Sequence, residues 1–201
     1  MIILPDIYAP RVVGYEPLAG GFDVRTSRGA LAGRVVTPGG RFAITVEFPT
    51  MTYERAMALK SLMISAKGEG LRLAMPLGGT VQAGGAGTVD GSGAAGTSLP
   101  VAGLTPGVMI RRGYWVTVID ADGNHCLHEV AAPVRVDGSG DATLPVNFPL
   151  RTVLIDGDAV LVSKPLIEGL ITSDVNWQIP VGRRVQGLGF RIEEMEAVEA
   201  P

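Results

Sequence analysis

Apolar and polar residues alternate over residues 41–48, RFAITVEF, and this period of two is typical of a β-strand with one buried face. Four apolar side chains share that face: Phe42, Ile44, Val46 and Phe48. The preceding segment, 34–37, also reads as a strand, and the Pro-Gly-Gly sequence at 38–40 favours a turn between the two. Residues 34–48 are therefore predicted to form a β-hairpin.

A different spacing follows in TMTYERAMALKSLMISAKG, where apolar residues recur every three or four positions, as on one face of an α-helix. The stripe consists of Ala56, Leu59, Met63 and Ala66, widened by Met57 and Ile64. Thr52 can cap the start of this helix, and Lys67 followed by Gly68 predicts its end. We expect the helix to pack on a sheet.

Between residues 77 and 164 the helical period is absent, and short alternating runs follow one another at roughly 8–12 residues, as in small sandwiches and barrels. A strand at 71–75 precedes this region, and the runs lie at 114–119, 126–130, 134–136, 143–146, 153–155 and 159–163. A last strand contains Leu188, Phe190 and Ile192. The predicted fold is α+β and predominantly β, with a body of residues 1–76 and 165–201 and an inserted all-β domain of residues 77–164.

Composition agrees with a β-rich protein, because hydrophobic residues make up 46% and charged residues only 18%, with 28 Gly and 14 Pro. The formal net charge of −3 argues against a nucleic-acid binder that acts through a basic face. A single cysteine, Cys126, excludes an internal disulfide framework. The N-terminus lacks a basic region and soon reaches Pro5, and no apolar run approaches the roughly 18 residues of a membrane span. We expect a soluble protein made in the cytoplasm.

The stretch GSGAAG, residues 91–96, has the G-x-G-x-x-G spacing of dinucleotide-binding loops, but the required strand before it and helix after it are missing from the pattern. Residues 89–101, VDGSGAAGTSLPV, are repeated at 136–146 as VDGSGDATLPV, where the fingerprint is lost. The shared content is a strand, an Asp-Gly-Ser-Gly turn and a second strand. Both copies are therefore predicted to be hairpins, not nucleotide sites.

The only cluster of metal-binding side chains is His125-Cys126-Leu127-His128. On a strand, Cys126 and His128 share a face and His125 points away, so a zinc site would need carboxylates from elsewhere. Cys126 with His128 could also form a nucleophile and base, but nothing nearby predicts an activated thiolate. The simpler interpretation places one of the pair in the core of the insert and one at its surface. We predict no catalytic, cofactor or metal site, and hence no enzyme.

Trp177, Arg183 and Arg184 lie near Pro180 and Gly182, and aromatic and arginine side chains are enriched at protein interfaces. The alternative is a solvated loop that Trp177 anchors to its own core. Together with Phe190 and Arg191 of the last strand, these residues form the predicted subunit interface.

The inserted segment resembles a module of tail proteins from long-tailed bacteriophages and related prophage or gene-transfer particles. That module runs from a Gly-x-x-Leu strand, through a turn before an aromatic strand, to a D-G-S-G-x-A-T-L strand and a Pro-Leu-Arg end. The matching residues here are GTSL at 96–99, GYW at 113–115, DGSGDATL at 137–144 and PLR at 149–151. The family often has Gly-Asp where this chain has Gly113-Tyr114, and this difference concerns which subfamily the chain resembles.

The resemblance implies a distal tail or minor tail protein of the virion. Its body would be a tail-tube-like β-sandwich with one flanking helix, closing into a hexameric ring with the insert outside. The implied partners are further copies of the chain, the tail tube and the baseplate hub, and DNA would pass through the lumen without specific binding. Two alternatives stay open: a tail-terminator or head–tail connector ring, and a carbohydrate-binding module that would use Tyr114 or Trp115, of which only one can be exposed on a given sheet face.

Overall fold

The computed structural model describes residues 1–35, 39–174, 176–178 and 184–195, with 176–178 described by their backbone alone. The described chain is predominantly β and contains one α-helix and several sheets, which confirms the predicted fold class. The helix is α1, Tyr53–Glu69. The strands are β1 Ile2–Ile3, β2 Arg11–Leu18, β3 Phe22–Arg25, β4 Leu31–Val35, β5 Arg41–Glu47, β6 Met51–Thr52, β7 Leu71–Ala74, β8 Ala86–Val89, β9 Ser98–Ala102, β10 Met109–Ile110, β11 Trp115–Ile119, β12 His125–Glu129, β13 Val134–Arg135, β14 Ala142–Pro145, β15 Ala159–Leu161, β16 Leu166–Ile171, β17 Asn176–Gln178 and β18 Arg184–Glu194.

The larger sheet, which we call the body sheet, has the strand order β1-β7-β16-β18-β5-β2, with β6 and β17 also paired to β18. All its pairs are antiparallel except β1 with β7. Helix α1 packs against this sheet through its contacts with β16 and β18. The body core lies between helix and sheet, because the apolar faces of both are buried there.

The strand predicted at residues 41–48 is confirmed, and its four apolar side chains are buried. The predicted hairpin partner is wrong, because β4 pairs with β3, whereas β5 lies between β2 and β18. A period of two identifies which face of a strand is buried but does not identify the neighbouring strand. The Pro38 position of the predicted turn lies outside the described residues.

Helix α1 buries the predicted stripe of Ala56, Leu59, Met63 and Ala66. Ile64 does not widen that stripe, because it is 56% exposed, and Leu62 packs against the body core instead. The helix continues past Gly68 to Glu69 and ends at Gly70, whose φ of 82° is readily adopted only by glycine. The Gly70 N–H still donates to the Ala66 carbonyl at 2.9 Å.

The smaller sheet has the order β12-β11-β15-β8-β9-β14, and its strands all lie within the predicted insert. Its two edge strands meet where Val130 forms a bridge with Val146, flanked by the Asn147 N–H on the Glu129 carbonyl at 3.0 Å. The sheet thus closes into a barrel, and every buried member of its core cluster falls between Val89 and Val162. No strand forms at 153–155, where Leu154 makes only an isolated bridge to Ala94.

The repeated sequence builds the centre of this barrel. In the first copy β8 and β9 pair, as predicted, and Gly91, Gly93 and Gly96 all have positive φ without a following helix. The second copy is not a hairpin between its strands, since β13 pairs with β10 and β14 with β9. The two copies instead pair with each other around the equivalent residues Leu99 and Leu144, both fully buried. The two copies therefore meet antiparallel at β9 and β14, although their other strands pair differently.

Candidate functional site

Strand β12 lies between the barrel and the body. Leu127 packs into the body core, while Cys126 and His128 are buried on the other face of the strand. The prediction that one of Cys126 and His128 would lie at the surface is wrong, because both are at most 5% exposed. A strand with a core on each side buries both of its faces, which its sequence alternation alone does not reveal.

The protonation of Cys126 and His128 is dominated by burial. Burial raises the pKa of the Cys126 thiol to about 11 and lowers the pKa of His128 to about 3. The thiol is therefore protonated and the imidazole neutral at pH 7, and the His128 Nδ1 atom has no hydrogen-bond partner. Across the described ranges, no group of three or more His, Cys, Asp and Glu side chains could hold a metal ion.

A buried ion pair joins the barrel to the last strand of the body. Arg151 pairs with Glu194, and their side chains are 4% and 0% exposed. The Glu194 carboxylate also accepts hydrogen bonds from the Leu127 N–H at 2.8 Å and the Phe42 N–H at 2.7 Å. Burial raises the pKa of Glu194, and Arg151 together with these two N–H groups opposes that rise. Arg151 is the last residue of the sequence motif that carries the phage-tail resemblance.

A second charged group lies along the same junction. Glu168 accepts a hydrogen bond from the Arg72 Nε atom at 2.7 Å, and its Oε2 atom lies 3.2 Å from the His125 Nδ1 atom. Burial disfavours the charged form of Glu168, but the bonds to His125 and Arg72 outweigh it and hold the pKa of this carboxyl below its ordinary value. Both groups line a cleft of about 500 Å³, in which opposite charges are paired with each other. The arrangement fixes the barrel against the body.

Aromatic rings also join the barrel to the body. The Trp115 ring stacks on Tyr15 at 5.6 Å and meets Phe42 edge-on at 4.9 Å, centroid to centroid. Tyr114 packs against the barrel core instead. Both rings that the carbohydrate-binding alternative would use are half-buried in contacts within the chain.

The most exposed element is a two-stranded ribbon that we call the arm, formed by β3, β4 and the turn between them. All its described residues from 22 to 35 are exposed. Phe22 is 62% exposed, Leu31 63% and Val24 40%, so apolar side chains project into solvent. The two strands pair with each other, and no other described strand pairs with them. A lone two-stranded ribbon is at best marginally stable in water, and clustered exposed apolar side chains mark interaction sites.

The body sheet also ends in an unpaired edge within the described chain. Strand β2 is last in the strand order, and Val13 and Tyr15 on it are 60% and 51% exposed. An edge strand offers free N–H and C=O groups to another chain. The arm follows β2 directly, so edge and arm form one continuous exposed region.

The structure places the predicted interface residues in different environments. Trp177 lies on β17, which pairs with β18, and Arg183 lies outside the described residues. Arg184 starts β18, is exposed, and lines a cleft of about 460 Å³. Phe190 belongs to the body core, and Arg191 next to it pairs with Glu16 of β2. Arg184, Phe190 and Arg191 thus share β18, but Phe190 is buried while Arg184 is exposed.

Sequence reasoning missed the arm. Its signal was available, because Phe22 and Val24 alternate with Asp23 and Arg25 before the turn-forming sequence TSRG. The buried ion pair of Arg151 and Glu194 was also missed, since neither residue differs in sequence from an ordinary surface charge.

Comparisons with protein-family models and with curated proteins found no match to this chain. None of the described helices is long and apolar enough to cross a membrane.

Proposed function

We propose that the chain is a structural protein of a long-tailed phage particle, which forms a ring at the distal end of the tail and joins the tail tube to the baseplate. In this role the protein performs no chemistry, and its partners are further copies of itself and the neighbouring tail proteins.

The observation that carries the proposal is the arm. Its apolar side chains are 40–63% exposed on a ribbon that has no other described strand beside it, next to the open edge of β2. Such a surface is costly to leave in water, and it is useful to a chain that completes its structure in an assembly. Identical subunits joined head to tail by two different surfaces form a ring when the rotation between neighbours closes on itself.

The phage assignment itself comes from the sequence resemblance. The buried contact between barrel and body supports it, because the motif residue Arg151 pairs with Glu194 of β18. A ring subunit that carries an inserted domain on its outside needs that domain to keep a fixed orientation on the ring.

Mass photometry and negative-stain microscopy of the purified chain test the assembly. We expect closed rings, and we expect Phe22→Ser with Leu31→Ser in the arm to return the protein to monomers. Ile64→Ser with Val81→Ser is the matched control, since these side chains are 56% and 82% exposed elsewhere on the chain. In the parent particle, a tagged subunit should label the distal tail. A stable monomer inside that particle would contradict the proposal.

A further inference from the structure

The exposed arm carries a distinct charge as well as an apolar face. Between residues 22 and 35 it has three arginines and one aspartate, which gives a formal charge of +2. Asp23 lies 3.6 Å from Arg34, so the uncompensated charge is that of Arg25 and Arg28. A surface that covers the arm must therefore be apolar and acidic.

One end of the barrel has these properties. The segments 90–96 and 152–157 run side by side, held by the Gly93 N–H on the Leu154 carbonyl at 2.9 Å and the Gly91 N–H on the Asp156 carboxylate at 2.9 Å. They contain no basic residue and two acids, Asp90 and Asp156. We call this pair of segments the barrel tip.

The barrel tip also exposes apolar side chains beside its acids. Val153 is 70% exposed and Ile155 49%, although both lie in a segment whose neighbour Leu154 is buried in the barrel core. The backbone of the tip is tied down at Gly91 and Gly93, so the surface is formed before any partner arrives. Little ordering entropy then opposes docking at this site.

We propose that the arm of one copy docks on the barrel tip of the next copy, with Phe22, Val24 and Leu31 against Val153 and Ile155. Arg25 and Arg28 then face Asp90 and Asp156. The inference rests on the proposed ring assembly and identifies the contact that joins neighbouring copies. Because the two surfaces differ, the contact is heterologous and propagates from copy to copy until the ring closes.

Charge reversal with rescue tests the link. The arm variant combines Arg25→Glu with Arg28→Glu, and the tip variant combines Asp90→Lys with Asp156→Lys. We expect each variant alone to stay monomeric in mass photometry at concentrations where the unchanged protein assembles, with an apparent dissociation constant raised about tenfold or more. Mixed together, the two variants should assemble again, because an acidic arm meets a basic tip and an unchanged arm meets an unchanged tip.

The mixed rings must alternate the two variants, so they contain equal amounts of each. The controls are Arg111→Glu with Arg135→Glu and Asp6→Lys with Asp122→Lys, since each pair changes the net charge by as much as the corresponding test variant, at exposed positions outside both surfaces. Assembly of the unchanged protein should also weaken as salt is raised from 0.05 to about 0.5 M. Asp90→Lys alone replaces the double tip variant if loss of the Asp156 bond to Gly91 prevents folding.

Three outcomes would overturn the inference. If the arm variant is monomeric while the tip variant assembles normally, the arm docks elsewhere, and the proposed ring function stands. If neither reversal changes assembly, the ring is held by other surfaces and the function again stands. If the unchanged protein is monomeric both alone and in its particle, the link and the ring function fail together.

Discussion

Glu194 illustrates at the level of single residues how a charge can be structural. Its carboxylate is fully buried and holds Arg151 of the barrel together with two backbone N–H groups of neighbouring strands. Removing one partner of such a pair leaves the other charge buried without compensation, which costs about 3–5 kcal/mol. We expect Glu194→Gln to lower the free energy of unfolding by about 3 kcal/mol in urea denaturation.

The adjacent Glu193 provides the control for this prediction, because its side chain is 28% exposed and pairs with Arg41 at 3.4 Å. Glu193→Gln should cost about 1 kcal/mol or less. The double variant Arg151→Met with Glu194→Gln should be more stable than Glu194→Gln alone, since no charge is left buried alone and the amide oxygen can still accept a backbone N–H. Equal losses at residues 193 and 194 would show that the pair is solvated.

His128 gives the folded protein a specific sensitivity to acid. Its pKa is lowered to about 3 in the folded state by burial, against about 6.5 in the unfolded chain. The unfolded state therefore binds a proton first as the pH falls below 6.5, and stability declines from there towards pH 3. Between pH 7 and pH 5 this one group should cost about 2 kcal/mol.

The measurement is the free energy of unfolding at both pH values for the unchanged protein and for His128→Leu. The variant should lose about 2 kcal/mol less than the unchanged protein over this interval. If both show the same pH dependence, His128 reaches water in the folded state.

Among the elements, helix α1 shows how a glycine ends a helix. Gly70 has φ 82° and ψ 162°, a combination open only to glycine, and a Cβ atom there would lie 2.8 Å from the Met1 sulfur. Gly70→Ala should destabilise the protein by about 1–3 kcal/mol in thermal or chemical denaturation. Gly68→Ala, within the helix and with open space around it, should stabilise by about 0.5–1 kcal/mol. Stabilisation by both would place the helix end elsewhere.

The elements also show which features the sequence could predict. Periodicity identified α1, β5 and β18, because each buries one regular face. Periodicity did not predict the partner strand of β5, since the pattern does not encode the neighbour across a sheet. It also did not predict that both faces of β12 are buried. The ion pair of Arg151 and Glu194 joins residues 43 positions apart, so only the folded chain brings it together.

At the scale of the whole molecule, the barrel and the body depend on each other unequally. The buried core cluster of the barrel lies entirely between Val89 and Val162. The body core, by contrast, includes Leu127 of the barrel and packs against Trp115 and Phe148 of the same region. The division predicted at residues 77 and 164 would give an insert with its own core and a body whose core includes residues of the insert.

Expressing each unit alone tests this asymmetry. We expect residues 77–164 to unfold cooperatively as a separate domain, because their core is complete. The body, residues 1–76 joined to 165–201 by a short Gly-Ser linker, should be destabilised by several kcal/mol, since it loses Leu127 and leaves Glu194 buried without Arg151. Adding Glu194→Gln to the isolated body should recover part of that loss, since it removes the unpaired charge and keeps an acceptor for the Phe42 N–H. A body that unfolds at the temperature of the intact chain would mean that the barrel contributes nothing to its stability, and that the insert is attached to the body as an independent module.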